Sequence, residues 1–311
     1  MKTALLFPGQ ASQYVGMGRD LSDAYPTARR MYQRANEALG WDIASLSFEG
    51  PADELVQTVN TQPAIFIHSC IMHALAGERG LTFDMAAGHS LGEYSALVAC
   101  GVLSFEDGLI AVRERARFMQ QACEAHPGTM AAILGMSWDK VVEVCRHAQA
   151  SGVVVAANFN GEKQIVISGS KEGIDAAAKL ASEHGAKRVI PLAVGGAFHS
   201  PLMLPSPTQL APVLDGLSFK NAARPVLLNV TAEPTTDAAV IKAKLIEQLT
   251  APVLWYPTLQ RMQKDGVATL IEVGPKKVLL GLAKSVLESA QLVSLDTAAD
   301  LENWAATPVT A

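Results

Sequence analysis

Apolar residues in this chain fall into short unbroken runs, which alternate with longer stretches where they recur every third or fourth position. The runs predict strands at Ala4 to Phe7, Met85 to Ala87, Val226 to Val230, Ala268 to Val273 and Leu292 to Leu295. Helical spacing covers a segment near Asp20, Pro26 to Gly40, Pro63 to Gly77 and Glu93 to Cys100. It resumes in a helix capped by Ser104 and running to about Ala122, then in Asp237 to Leu249, Trp255 to Gln263 and Lys277 to Leu287. Strands that alternate with helices in this way imply a mostly parallel sheet covered on both faces. The Thr/Ala/Pro-rich tail after Trp304 is expected to fray.

A second rhythm occupies the middle of the chain. Met130 to Met136 reads as a strand, Trp138 to Gln149 as a helix capped by Ser137, and Val153 to Ala157 as a strand. Asn160-Gly161 falls in a turn, Gln164 to Ser168 is a strand, Ser170 caps a helix from Lys171 to Glu183, and Ala186 to Leu192 is a strand. That order, β-α-β-β-α-β, is the ferredoxin-like arrangement. The expected fold class is therefore α/β: a large α/β-hydrolase-like domain with a parallel sheet (1–126 and 196–311) carrying an inserted ferredoxin-like small domain (127–195). The cleft between them is the natural place for a site.

Composition narrows the partners. With 49% apolar and 18% charged residues the chain is an ordinary globular one. A net charge of −5 and the lack of a basic, aromatic-interleaved tract argue against nucleic acid. No stretch has the uninterrupted apolar length of a membrane span, and Met1 to Phe7 is too short for a signal segment. Cys70, Cys100, Cys123 and Cys145 are widely spaced in apolar contexts, which reads as small buried hydrophobes in a reducing compartment. No His/Cys/Asp cluster has ligand spacing, so no metal and no prosthetic group is expected. The expected location is the cytoplasm.

Candidate chemistry centres on Gly88-His89-Ser90-Leu91-Gly92, a Gly-x-Ser-x-Gly pattern between a strand end and a helix. Such a turn lifts the serine hydroxyl clear of the sheet, where it can act as a nucleophile. Among seven histidines, His199 alone lies in a Gly-rich loop at a predicted domain junction, where a base could approach from another segment. His68 and His73 sit in an apolar helix and read as packing residues; His126, His147 and His184 read as surface. On the Ser104 helix, Leu109, Val112, Ala116 and Met119 form a stripe that Arg115 borders, and wheel geometry does not choose among Arg113, Arg115 and Arg117. Gln10 follows the first strand and its Pro8-Gly9 turn, at the sheet edge where open α/β folds place ligands.

Five blocks, in order and in register, resemble the malonyl-CoA:acyl carrier protein transacylase family of bacterial fatty acid synthesis. They are Phe7-Pro8-Gly9-Gln10-Ala11-Ser12-Gln13, Gly88-His89-Ser90-Leu91-Gly92-Glu93-Tyr94, Arg115-Ala116-Arg117-Phe118-Met119-Gln120, Phe198-His199-Ser200 and Glu272-Val273-Gly274-Pro275. The resemblance implies Ser90 as nucleophile and His199 as general base, oriented by the backbone carbonyl of Gln248. It implies an oxyanion hole from the backbone N–H groups of Gln10 and Leu91, and Arg115 as the group that holds the malonyl carboxylate. Phe198 resembles the malonyl-selecting form of its loop. Ala11 and Lys276 stand where the family commonly has glycine.

The activity implied is transfer of malonyl from malonyl-CoA to the phosphopantetheine thiol of acyl carrier protein through a malonyl-serine ester, by a monomer with no cofactor beyond its CoA substrate and product. The alternatives weighed are a trans-acting polyketide synthase acyltransferase, a serine esterase or thioesterase, and a non-catalytic carrier-docking protein. A hydrolase would place an acid between nucleophile and histidine. Asp107, Asp139 and Asp175 instead lie at or within predicted helices.

Overall fold

A computed structural model describes residues 2–306. The large sheet contains β1 (Lys2–Phe7), β2 (Met85–Gly88), β7 (Val226–Leu227), β8 (Pro234–Thr235), β9 (Val267–Val273) and β10 (Gln291–Leu295) in the order β10-β9-β1-β2-β7-β8. All its pairings are parallel except β7 with β8. Alternate residues serve opposite faces, so a strand buried on both must be apolar throughout. Leu5 and Phe7 of β1 enter one core with the helices Pro26–Leu39, Thr58–Gly77 and Phe105–Ala125, while Ala4 and Leu6 enter a second with Trp255 and Leu259.

The small sheet contains β3 (Thr129–Leu134), β4 (Val154–Gly161), β5 (Gln164–Gly169) and β6 (Arg188–Pro191) in the antiparallel order β4-β5-β3-β6, with the helices Trp138–Ala148 and Lys171–Glu183 in the connections. Ala131, Ile133, Ile165 and Ile167 pack on those helices. Met130, Ala132 and Val166, one position out of phase, join the core of the large unit. The two-residue period thus welds the small sheet to its neighbour. An exchange of backbone bonds strengthens the seam: Phe159 N donates to Val253 O, and Val253 N to Ala157 O.

Several boundaries differ from expectation. β4 does not stop at Ala157 but continues through Asn160-Gly161, and Glu162-Lys163 makes the turn. The strand expected at Val226 to Val230 is only Val226–Leu227, and the helix expected from Lys277 to Leu287 is Val278–Ala283. Pro201 opens a 3-10 turn, Pro201–Met203, with Ser200 Oγ accepting from Leu202 N. Ser137 occupies the cap position without a side-chain bond, whereas Ser104 and Ser170 cap as expected. The last helix, Ala298–Ala306, extends past Trp304; the rest of the tail expected to fray lies outside the described residues. All four cysteines are buried and free.

Candidate active site

The serine turn works by close approach. A Cβ on Gly88 would stand 1.9 Å from the Gly92 carbonyl, and one on Gly92 would stand 2.0 Å from the Phe7 oxygen. The two glycines therefore let the start of the helix Gly92–Ala99 sit against β1 and β2. The left-handed backbone falls on the serine itself, at φ 52°. Two side chains hold that unfavourable conformation. Ser90 N donates to Asn229 Oδ1 at 2.6 Å, and Ser90 O accepts from Gln248 Nε2 at 3.0 Å.

His199 arrives from the loop after β6, also left-handed at φ 58°. Its Nε2 lies 2.8 Å from Ser90 Oγ, and its Nδ1 lies 2.8 Å from the backbone oxygen of Gln248. A carbonyl only accepts, so Nδ1 carries the proton and Nε2 presents a lone pair to the hydroxyl. Burial, with the Arg115 charge adding to it and the Gln248 carbonyl opposing, pushes the imidazolium down to about 3. The ring is neutral at physiological pH, as a base must be.

Among Arg113, Arg115 and Arg117 the structure selects Arg115, which is 1% exposed. Its Nη1 donates to Gln62 Oε1 at 2.7 Å, and its Nη2 to Gln248 Oε1 and to Ser90 Oγ, both at 3.0 Å. The guanidinium carbon stands 5.6 Å from the centre of the Tyr94 ring. Arg113 instead bonds Glu114 and the Ala38 carbonyl, and Arg117 bonds Glu114. Arg115 is thus a buried cation whose hydrogen bonds all go to neutral acceptors, with the Glu93 carboxyl nearby and its own Nε unpartnered among the described residues, and an incoming carboxylate can displace those acceptors.

These groups open onto a cavity of about 250 Å³, lined also by Gln10, Leu91, Met119, Phe198 and Val278. Gln10 and Leu91 flank the serine turn, and Leu91 is the first residue before the helix Gly92–Ala99, where backbone N–H groups lack intrahelical partners. Ala11 and Lys276 adopt φ 81° and 65°, which explains why glycine suits those positions. Ala11 O accepts from Lys276 Nζ at 3.4 Å, and Lys276 N donates to Asp296 Oδ2 at 2.9 Å. Glu272 is buried beneath them, bonds Leu279 N and Leu280 N, and so fixes the helix Val278–Ala283 against the cavity; burial raises its carboxyl to about 7.

The sequence reading missed several residues. Gln62 and the Gln248 side chain hold Arg115, Asn229 holds the turn, and Glu93 supports both Gln248 and Asn229. A glutamate inside the apolar helix Gly92–Ala99 was the available signal, because such a group is rarely buried unless partnered. Asn158 and Asn160, two apart on β4, both line the cavity, and Asn160 Oδ1 lies 2.9 Å from His89 Nε2. His68 and His73 line no part of it: His68 Nε2 lies 3.0 Å from Asp296 Oδ1, and His73 packs edgewise on Phe7 and Phe83. A wider groove of about 910 Å³ on the outer small sheet is lined by Lys171 and Asp175, which pair with each other, and by no histidine or cysteine. Among the described residues no cluster of His, Cys, Asp or Glu could hold a metal, and no helix is long and apolar enough to cross a membrane.

Comparison with known proteins supplies the family. Residues 4–303 match the acyl transferase domain family. The chain is 46% identical over 302 residues to a malonyl CoA-acyl carrier protein transacylase of Bacillus subtilis, covering 97% of this chain and 95% of that one. An acyl carrier protein S-malonyltransferase structure from Vibrio cholerae superposes with a TM-score of 0.94 at 40% identity, covering 98% of this chain and all of the other. A malonyl-transacylase solved in complex with a type II PKS acyl-carrier protein superposes with a TM-score of 0.94 at 36% identity, covering 97% and 98%.

Proposed function

The chain belongs to the acyl transferase domain family, and from that footing we propose that it moves the malonyl group of malonyl-CoA to the phosphopantetheine thiol of acyl carrier protein. The observation that carries this reading is the contact of Ser90 Oγ with both His199 Nε2, at 2.8 Å, and Arg115 Nη2, at 3.0 Å. A nucleophile, its base and a cation suited to the free carboxylate of a malonyl group meet at one oxygen.

In the first half-reaction Ser90 Oγ attacks the thioester carbonyl as His199 Nε2 takes its proton. The C–S bond then breaks, and the imidazolium returns the proton to the departing thiolate. The N–H groups of Gln10 and Leu91 receive the oxyanion, donors each worth about 2.7–4 kcal/mol in such sites. In the second half-reaction His199 removes the proton of the carrier's thiol, which attacks the malonyl-serine ester; the ester C–O bond breaks and the imidazolium returns the proton to Ser90 Oγ. Arg115 receives the malonyl carboxylate through two parallel hydrogen bonds. An acetyl group offers no such partner, and Phe198 closes the wall beside the acyl group. The discrimination is on the scale of one charged hydrogen bond, about 1.5–3 kcal/mol.

The division into a catalytic unit (1–126 and 196–311) and a smaller covering unit (127–195) places the reaction where the two meet. The chain acts as a monomer in the cytoplasm, with CoA thioester as substrate and no resident cofactor. A serine hydrolase is disfavoured because His199 Nδ1 rests on a backbone carbonyl and not on a carboxylate. The test is incubation with malonyl-CoA with and without holo acyl carrier protein. Malonyl-carrier formed in step with released CoA supports transfer; free malonate at equal rate in both tubes means a hydrolase.

A further inference from the structure

Ser90 sits in a backbone conformation that L-residues disfavour, so something must hold its peptide groups in place. Asn229 holds the N–H side and also donates from Nδ2 to Gly88 O at 2.6 Å; Gln248 holds the carbonyl side. Both converge on one atom. Glu93 Oε2 accepts from Gln248 Nε2 at 2.7 Å and from Asn229 N at 3.3 Å. Gln248 in turn touches both of the other acting side chains: its Oε1 receives Arg115, and its backbone oxygen receives His199 Nδ1. The network admits one orientation of the Gln248 amide, since Nε2 faces two oxygens and Oε1 faces a guanidinium.

Glu93 is 1% exposed, and its Oε1 has no hydrogen-bond partner among the described residues. Its one engaged oxygen serves two donors, one on each arm of the support around the serine turn. From this geometry we propose that Glu93 is a positioning residue for malonyl transfer, holding Gln248 and Asn229 so that the serine turn, the base and the recognition cation keep one relative placement. The inference rests on the proposed transfer reaction and extends it to a residue that touches no substrate. Its role is an acceptor at a fixed reach. Glutamine in its place keeps an acceptor at that reach, with its NH2 where the idle oxygen now lies; aspartate keeps the charge but withdraws the acceptor by one methylene.

The test is the single-turnover rate of Ser90 acylation by malonyl-CoA and by acetyl-CoA in wild type, Glu93→Gln and Glu93→Asp, each verified as folded by its thermal transition. Glu93→Asp is expected to lower malonyl acylation by about 100-fold, the scale of a misplaced site, and to lower the malonyl-to-acetyl ratio by about 10-fold, while Glu93→Gln stays within about 3-fold of wild type on both. Equal impairment of the two variants, or a slowed Glu93→Asp whose ratio is unchanged, overturns the positioning role. If wild type is malonylated at Ser90 and Glu93→Asp behaves like it, this inference alone fails; a wild type that takes up no malonyl group overturns the proposed reaction as well.

Discussion

The two walls of the cavity are built from different chemistry. The large unit supplies Ser90, His199, Arg115, His89, Gln62, Gln10 and Leu91, whereas the small unit supplies Met130, Asn158, Asn160, Val166, Leu192 and Val194. Every lining group that can ionise or attack stands on one side. The other side is apolar and amide surface, carried on a sheet whose inner face is continuous with the large core. In the proposed reaction the first wall carries both the bond-making groups and the carboxylate-binding Arg115, and the second adds only apolar and amide contacts to the substrate. Changes to the first wall should act on acylation and on the choice of acyl group, and changes to the second on binding alone.

Ser90→Ala provides the largest contrast, because it removes the one hydroxyl held within reach of His199 Nε2 among the described residues. Transfer measured as malonyl-carrier formation should fall by about 10⁴-fold or more. Next comes Arg115→Ala, expected to cut malonyl acylation by about 10–100-fold while leaving acetyl acylation within about 3-fold, the equivalent of one charged hydrogen bond. Unchanged discrimination would remove Arg115 from substrate recognition. On the opposite wall, Asn158→Ala should raise KM for malonyl-CoA by about 3–10-fold and leave kcat within about 2-fold, the cost of one neutral hydrogen bond. A fall in kcat there would break the division of labour.

The smallest effect is on stability. Burial raises the Glu93 carboxyl to about 7 from an ordinary 4.5. Between those values the folded chain keeps a proton that the unfolded chain has lost, so the stability this group contributes is complete below 4.5 and is lost as pH rises through about 7. Glu93→Gln cannot ionise. The Tm of the variant relative to wild type should therefore be more favourable at pH 8 than at pH 5, and a difference constant with pH would refute the buried, raised carboxyl.

Much of the fold was legible because its strands are buried on both faces and read as unbroken apolar runs between helical stretches. The elements that escaped are the ones where local chemistry misleads. Asn158-Phe159-Asn160-Gly161 has turn composition, yet Phe159 is fixed in the small core and the two asparagines face the cavity, so tertiary packing extends the strand. Val226 to Val230 is apolar enough for a strand, but the ladder ends at Leu227 and Asn229 turns inward to the serine turn. The five blocks identified Ser90, His199 and Arg115 as candidates without showing that they meet. Gln248 illustrates the remaining gap: its backbone carbonyl was expected from resemblance, but its side chain, which links Arg115 to the Ser90 carbonyl, follows only from distances that no spacing rule supplies.

The central claim is that Ser90 is the nucleophile and His199 its base. Intact mass and peptide mapping after brief exposure to malonyl-CoA test it most directly, in wild type, Ser90→Ala and His199→Ala. The account predicts one malonyl group per chain, mapped to Ser90, absent from Ser90→Ala and formed at least about 10³-fold more slowly in His199→Ala. An adduct that persists in Ser90→Ala, or a His199→Ala protein that acylates at the wild-type rate, would contradict it.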